Sequence, residues 1–397
     1  MSFQSSDHWR FILLPLPFLT PFAIYHIVNY FSLKSSSKPL KITTPSKDFL
    51  CDELQYPSPS EVLWQDLLPI PYRPFKPVYK MNLGIKYISI NDLYLIDNSY
   101  LPTIMEKKAL LSDKTHVCRT VFFDKEDPLT ILAIKEAYDY IINHYLPKRF
   151  PNYFEIIQNE NRLLNKITNQ KIPLSSSFYS DTSQIDLLLS NLSLQIQEDI
   201  LWLLKDPDNP NILPQYRDEY VLKAATCLLP SSFDPSEKFL KNLTAIHGPV
   251  PNYSISLKKS MNKFFDNLKL NKVVQRNNWS IQLNSNFNQI SKQTSRYEIS
   301  KSSSEKEVLL AENLDFANGV FLRSERQCLM RLPKSNAVLF SIRYYKTSLQ
   351  QIKDENLANE LATAIDGIFP EMAVYKNRGR WGQACKDFLL NKKKSSF

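Results

Sequence analysis

The stretch from Phe239 to Gln282, FLKNLTAIHGPVPNYSISLKKSMNKFFDNLKLNKVVQRNNWSIQ, decides how this chain is interpreted. It contains His247, the only histidine in the second half of the sequence. Pro249 and Pro251 follow at once, and each fixes one backbone φ and removes one hydrogen-bond donor. Because residues before proline favour extended conformations, no helix is expected to run through this segment. By residue chemistry alone, His247 is either a metal or haem ligand or a residue that fixes a surface loop.

A helix and a strand are predicted after this turn. Apolar residues recur at helical spacing across Ile255–Leu268, with lysines between them, which indicates an amphipathic helix. Val273–Ile281 is β-branched and aromatic, as is typical of a strand. That strand carries Arg276, Asn278 and Trp279, and we expect it to bring a cation and an amide close to His247. The whole stretch could therefore form a ligand-binding platform.

Composition excludes several classes of site. The 397-residue chain has only six glycines, none clustered, which argues against a phosphate-binding loop or a dinucleotide fingerprint. Its five cysteines are scattered without a CxxC pair, so neither a zinc site nor an iron–sulfur cluster is indicated. The net charge is +9, but much of the excess lies in Lys34–Lys47 and Lys392–Lys394. No compact basic block interleaved with aromatic residues points to nucleic-acid binding.

The N-terminal part predicts a membrane anchor. Phe11–Leu33 has no Asp, Glu, Lys or Arg and is long enough for a transmembrane helix, although it contains three prolines. A buried apolar arm and a cleaved signal are the alternatives. Four lysines follow between Lys34 and Lys47, so the positive-inside tendency places the C-terminal part in the cytosol. We expect a single-pass anchor at 1–34, a linker at 35–59, and one domain at 60–390.

Within that domain, the polar segment 283–306 is expected to be an exposed insertion. The pattern further predicts a helix over Pro128–Leu146 that ends before Pro147, a polar loop over Leu163–Thr182 and a strand over Ala337–Tyr345.

Charged residues alternate in the segment before that last strand. If Gly319–Pro333 is extended, Arg323, Glu325 and Gln327 share one face. Two interpretations remain open at this point: a functional carboxylate flanked by arginines, or a structural Arg–Glu network on a sheet edge.

Four motifs follow one another along the chain: Ala245-Ile-His-Gly-Pro-Val-Pro251, Arg276-Asn-Asn-Trp279, Glu325-Arg-Gln and Arg331-Leu-Pro-Lys-Ser. Together they resemble one known family, the haem-dependent oxidative N-demethylases of the alpha-subunit type. The resemblance runs from about Tyr72 to Tyr375, with the motifs in the family's order. The N-terminal apolar segment and the 283–306 insertion fall outside it, which is similar to a fungal-type member.

This resemblance implies a fold and a cofactor. The fold is α+β, a PAS-like antiparallel sheet elaborated with surrounding helices and preceded here by one transmembrane helix. The cofactor is haem b, with His247 as the axial iron ligand. Asn278, Trp279 and Arg331 are then cofactor-binding residues.

The resemblance also implies an activity. Relatives of this type oxidise an N-methyl group of a small alkylamine with O2 and release formaldehyde. Glu325, Arg326 and Arg276 are then catalytic candidates, which steer a cationic amine or polarise oxygen, although the arginines could instead anchor haem propionates. Electrons must come from an external flavin/iron–sulfur reductase, because this chain has neither type of site. The alternatives are a non-catalytic haem or ligand-binding sensor and a membrane-associated structural protein without a cofactor.

Overall fold

The computed structural model describes residues 63–207, 213–231, 233–286, 288, 290 and 308–391. Its central element is an antiparallel sheet. Its strands are β1 (Lys86–Ile88), β2 (Val121–Phe123), β3 (Phe154–Ile157), β4 (Arg162–Asn165), β5 (Gln170–Pro173), β6 (Asp199–Lys205), β7 (Tyr220–Thr226), β8 (Val273–Gln282), β9 (Phe321–Arg331) and β10 (Val338–Ser348). Seven of them form one sheet in the order β1-β8-β9-β10-β6-β7-β2, and β3-β4-β5 form a second sheet.

The α-helices surround the seven-stranded sheet. They are α1 (Tyr100–Ser112), α2 (Lys114–Thr120), α3 (Pro128–Tyr138), α4 (Leu146–Arg149), α5 (Ile185–Ser193), α6 (Leu243–His247), α7 (Tyr253–Ser256), α8 (Lys258–Asn267), α9 (Leu349–Asp354), α10 (Ala358–Asp366), α11 (Pro370–Tyr375) and α12 (Arg378–Leu389). A π-helix, Asp139–Tyr145, joins α3 to α4. The predicted α+β class is therefore confirmed.

The register of the long central strands decides which side chains meet. β9 and β10 pair over eleven residues each, so that Glu325 lies opposite Tyr344. On the other side of β9, Asn278 of β8 lies opposite Glu325, and Arg276 lies opposite Gln327. Because side chains alternate along a strand, these five residues share one face of the sheet. We call it the cavity face.

The two faces are covered by different helices. On the cavity face, Val274 and Leu329 form a buried cluster with Met261 and Phe265, which brings α6–α8 over the sheet. On the opposite face, Trp202 belongs to the large core that also contains residues of α1, α3 and the π-helix. A further cluster joins the ends of β8 and β9 to α9–α12. The sheet is thus buried on both sides, and α6–α8 cover one region of the cavity face.

The predicted stretch from the histidine to the strand agrees well with the structure. α6 ends at His247, so no helix runs through the proline segment. The expected amphipathic helix is present as α7 and α8, which are separated at Leu257. β8 confirms the predicted strand over Val273–Ile281. The strand predicted over Ala337–Tyr345 is confirmed by β10.

Two local predictions were wrong. The helix from Pro128 does not end before Pro147, because the π-helix continues directly into α4, which contains Pro147 as its second residue. The expected loop over Leu163–Thr182 contains the hairpin β4–β5. Its tight turn is stabilised by Asn165 Oδ1, which accepts from the N–H groups of Ile167 and Thr168.

Three sequence predictions concern residues outside the described part of the chain. They are the membrane span Phe11–Leu33, the linker 35–59 and most of the insertion 283–306. Among the residues that the structure does describe, no helix combines the length and the apolar character needed to cross a bilayer.

Candidate functional site

A cavity of about 970 Å³ lies between the cavity face and helices α6–α8. This is a volume typical of sites for cofactors and small ligands. Most of its floor and roof is apolar, formed by Leu201, Phe340, Ile342, Val250 and Phe264 among others. Polar residues line it on β8, on β9 and at the end of α6, and further charged residues come from the segment before β1 and from Glu237, Lys238 and Lys376. A largely apolar cleft with a few converging polar groups is the usual form of a binding site.

The segment Pro74–Lys86 forms a strap along one side of the cavity. The strap is held where Tyr79 N–H donates to the carbonyl of Gly367 at 3.0 Å. A Cβ at Gly367 would lie 1.8 Å from the carbonyl oxygen of Pro77. Only glycine therefore allows this close approach between the strap and the end of α10.

His247 lies at the C-terminal end of α6, and its ring is fixed by two contacts. Nδ1 lies 2.8 Å from the carbonyl oxygen of Leu243, so Nδ1 carries the proton and donates it. The ring stacks on Tyr253, with ring centroids 4.8 Å apart and planes 13° apart. Nε2 then carries the lone pair, and no hydrogen bond to it is present within the described residues. An imidazole oriented in this way by a backbone carbonyl is a common metal ligand.

The surroundings keep His247 neutral. Burial lowers the pKa of its imidazole to about 4, and the nearby cations Arg276 and Lys238 act in the same direction. The hydrogen bond to Leu243 opposes this shift but is the smaller effect. The lone pair on Nε2 is therefore available at neutral pH without loss of a proton.

α6 is itself held by a buried carboxylate. Glu219 accepts hydrogen bonds from Asn242 Nδ2 at 3.1 Å and from the N–H and hydroxyl of Thr244 at 2.8 and 2.7 Å. Asn242 caps the helix, because its Oδ1 accepts from Ala245 N–H at 3.1 Å. These contacts fix the helix that positions His247.

Glu325 lines the cavity, and only one of its two carboxylate oxygens accepts hydrogen bonds from the described residues. Its Oε2 accepts from Asn278 Nδ2 at 3.3 Å and from Gln327 Nε2 at 2.9 Å. Oε1 has no hydrogen-bond partner among the described residues. Two amides thus orient the carboxylate and leave Oε1 available for a donor on a ligand.

Arg276 of β8 is another charged residue that the sheet brings to this cavity. It makes no hydrogen bond or ion pair within the described residues, and its Nε is buried without a partner. Burial lowers the pKa of the guanidinium, while Tyr79 and Glu325 act in the opposite direction. A desolvated cation without a counter-ion is costly, so Arg276 is suited to receive an anionic group.

The structure does not bring Arg326 to the cavity. Arg326 is only 1% exposed and lies on the opposite face of β9. It donates to Gln275 Oε1 at 2.9 Å, to the Leu93 carbonyl at 3.1 Å and to the Asp92 carbonyl. The sequence-based placement of Arg326 beside Glu325 in the site is corrected, because neighbouring residues of a strand point to opposite faces.

Arg331 and Trp279 are also placed differently from the expectation. Arg331 does not line the cavity; it donates to the Leu268 carbonyl at 2.7 Å and to Tyr220 Oη at 3.0 Å, which fixes the end of α8. Trp279 reaches the cavity margin, but it is 5% exposed and its ring packs edge-on against Phe75. Both residues support the walls of the cavity.

Gln327, Tyr344 and Tyr79 are among the cavity residues that were not predicted as site residues. Gln327 holds Glu325, Tyr344 lies opposite Glu325 on β10, and Tyr79 lies on the strap. The alternation along β9 could have identified Gln327, because it shares the face of Glu325. Tyr344 and Tyr79 depend on strand register and chain packing, and no local pattern marks them.

These residues fit a haem better than a bare metal ion. Within the described residues, no group of three or more His, Cys, Asp or Glu side chains could hold an ion by itself. An iron that is already held by a macrocycle needs only one axial imidazole, and His247 presents one with a free lone pair. The apolar walls suit a large hydrophobic ring, and cations that line the cavity, among them Lys238, suit its carboxylates.

Comparison with known protein families agrees with this geometry. The family model described as haem-dependent oxidative N-demethylase, alpha subunit-like, matches residues 84–386. The match covers more than half of the chain and includes His247, β8, β9 and β10. The chain therefore belongs to the haem-dependent oxidative N-demethylase, alpha subunit-like, family.

Proposed function

We propose that this chain is an oxidoreductase that binds haem b through His247 and removes an N-methyl group from a small amine. The observation that carries the proposal is the contact between His247 Nδ1 and the Leu243 carbonyl, which leaves the lone pair on Nε2, together with the position of His247 on the same cavity as Glu325. The strand order supports the PAS-like assignment. When β6–β10 are numbered 1 to 5 along the chain, the five central strands lie in the order 2-1-5-4-3, which is the order expected of a PAS-like sheet.

The proposed net reaction is balanced with an external electron donor. The N-methylamine, O2, an electron pair and two protons give the demethylated amine, formaldehyde and water. Bound haem would supply the activation of O2, as it does in other haem proteins. The electron pair must come from a partner, which we propose is a flavin/iron–sulfur reductase.

Glu325 is the residue we assign to the amine. An alkylammonium donates a charge-assisted hydrogen bond to a carboxylate, and Oε1 is the oxygen left open by Asn278 and Gln327. The same oxygen can accept the ammonium proton, which frees the nitrogen lone pair. The apolar part of the cavity lining suits the methyl group.

We further propose that Phe11–Leu33 anchors the protein in a membrane as a single span, with the C-terminal domain in the cytosol. The support is the uncharged apolar run followed by lysines. Together with the 283–306 insertion, this segment also supports the assignment to a fungal-type member. Protease protection of membrane vesicles, with tags at the two ends of the chain, tests the orientation.

The haem-binding residue is tested with the visible absorption spectrum of the full chain, supplied with haem in detergent. Wild type is expected to show a Soret band that shifts or disappears in His247→Ala. His144→Ala is the matched control, since His144 lies in the π-helix away from the cavity. A wild-type protein that stays colourless, or a His247→Ala spectrum identical to wild type, contradicts the assignment of His247.

Catalysis is tested separately by formaldehyde release from dimethylamine with a chemical reductant and O2. Glu325→Gln is expected to retain the Soret band and to lose turnover by at least about 100-fold, the scale of a lost proton-transfer group. Glu371→Gln, at an exposed position of α11, is the control. Haem binding without formaldehyde release from any amine would favour the sensor function over the enzyme.

A further inference from the structure

We infer that the amine substrate of this cavity also carries a carboxylate: it is a zwitterionic N-methylated amino acid, with its carboxylate at Arg276 and its ammonium at Glu325. The inference rests on the proposed function and narrows its substrate class. It follows from the placement of two opposite charges that share the cavity without neutralising each other.

The register sets the two charges beside each other. Asn278 lies opposite Glu325 and Arg276 lies opposite Gln327, so Arg276 and Glu325 are diagonal neighbours on adjacent strands. Diagonal neighbours in an antiparallel pair are about 7–8 Å apart. No ion pair within 4.0 Å joins these two side chains in the described part of the chain. The two charges therefore lie near each other on the cavity face without forming an ion pair.

The atoms left without partners in this region form a complementary set. Among the residues that the structure describes, Arg276 Nε is a buried donor without an acceptor, and Gln327 Oε1 is a buried acceptor without a donor. Glu325 Oε1 is a second open acceptor, as described above. An amino acid supplies what is missing: a carboxylate for the guanidinium, and an ammonium for the two acceptors.

A simple alkylammonium fits this set less well. It would satisfy Glu325, but it would leave Arg276 without an anion and would itself be repelled by the guanidinium. A zwitterion is attracted by both groups and brings no net charge into a desolvated cavity. Arg276 can also present two parallel N–H groups to one carboxylate, which fixes the orientation of the ligand.

A haem propionate is the other carboxylate that Arg276 could bind, and the experiment separates the two sources. Isothermal titration calorimetry compares N,N-dimethylglycine with dimethylamine on the haem-loaded full chain. Transfer of haem to apomyoglobin measures haem retention. The variants are Arg276→Gln, Arg276→Lys and Glu325→Gln, with Arg217→Gln at an exposed position outside the cavity as the matched control.

We expect wild type to bind N,N-dimethylglycine at least about 10-fold more tightly than dimethylamine. Arg276→Gln should weaken N,N-dimethylglycine roughly 10- to 100-fold, the scale of a hydrogen bond to a charged group, and leave dimethylamine unchanged or tighter. Arg276→Lys should retain part of the affinity, because it keeps the charge but loses the planar fork. Glu325→Gln should weaken both amines.

Two results overturn the inference. One is that wild type binds dimethylamine as tightly as N,N-dimethylglycine. The other is that Arg276→Gln loses haem faster while its discrimination between the two amines stays as in wild type, which identifies a propionate as the partner. Failure of the proposed function looks different: N,N-dimethylglycine binds as expected, yet haem-loaded protein releases no formaldehyde from it.

Discussion

Replacement of Arg326 by leucine tests whether one face of the sheet stabilises the fold while the cavity face binds the ligand. The side chain is 1% exposed and donates to three acceptors, Gln275 Oε1, the Leu93 carbonyl and the Asp92 carbonyl. Leucine keeps part of the apolar contact but donates to none of them. Arg326→Leu is therefore expected to destabilise the fold and to leave ligand binding in the cavity unchanged.

The magnitude follows from the three contacts. A hydrogen bond to a charged group contributes about 1.5–3 kcal/mol, and an acceptor left buried and unpaired costs about 1–3 kcal/mol. The three bonds share one side chain and are not additive, so we expect a loss of about 4 kcal/mol in the free energy of unfolding. Burial already raises the pKa of Glu198, and Arg343 and Arg326 oppose that rise. Without Arg326, the pKa of Glu198 should rise further.

The assay is urea denaturation of the full chain, followed by tryptophan fluorescence, which gives the free energy of unfolding from midpoint and slope. Arg217→Leu is the matched control, because Arg217 is exposed, and it should change stability by less than about 0.5 kcal/mol. Calorimetry with N,N-dimethylglycine is performed on the same samples below the unfolding transition. A stability loss under about 1 kcal/mol, or a folded variant that no longer binds the ligand, would refute the reasoning.

Two further predictions use stability as the measurement. Gly367→Ala should lower the free energy of unfolding by about 1–3 kcal/mol, because its Cβ would overlap the Pro77 carbonyl. Gly379→Ala is the control, since its Cβ would meet no described atom within 4 Å, and it should be neutral or stabilising. Equal melting temperatures of the two variants would contradict the role of the strap. His247 has a pKa of about 4 when folded and 6.5 when unfolded, so only the unfolded state gains a proton between these values and stability of the haem-free protein should fall as pH falls from 6.5 to 4. The full difference between the two pKa values corresponds to about 3 kcal/mol in the free energy of unfolding, and partial exposure of the ring reduces this to roughly 2 kcal/mol. His247→Gln should abolish this part of the pH dependence, which urea denaturation at each pH measures.

Much of the site could be predicted from short-range pattern. The proline pair after His247 indicated a helix end, and period-two alternation indicated that Glu325 and Gln327 share a face. The same alternation shows why Arg326 could not join them: consecutive strand residues point to opposite faces, so Glu325 and Arg326 cannot line one cavity. Sequence alone did not say which of the two faces carries the site.

Other features depend on contacts between distant parts of the chain. Whether Arg276 lies beside Glu325 depends on the register between β8 and β9, which a one-residue shift would reverse. Arg331 shares the face of Glu325, yet it lies beyond the cavity against the end of α8. The position of the strap depends on the contact between Pro77 and Gly367. None of these relations leaves a periodic signal in the sequence.

The alternation along β9 also limits how this protein can change during evolution. Substitutions at Glu325 or Gln327 alter what the cavity binds, while those at Arg326 alter whether the chain folds, so the two properties can be selected nearly independently. Loss of a single codon upstream in this strand would exchange the two sets, with a guanidinium turned into the cavity and a carboxylate into the core. Relatives that keep both the fold and the cavity should therefore keep the length of β9 unchanged upstream of Glu325.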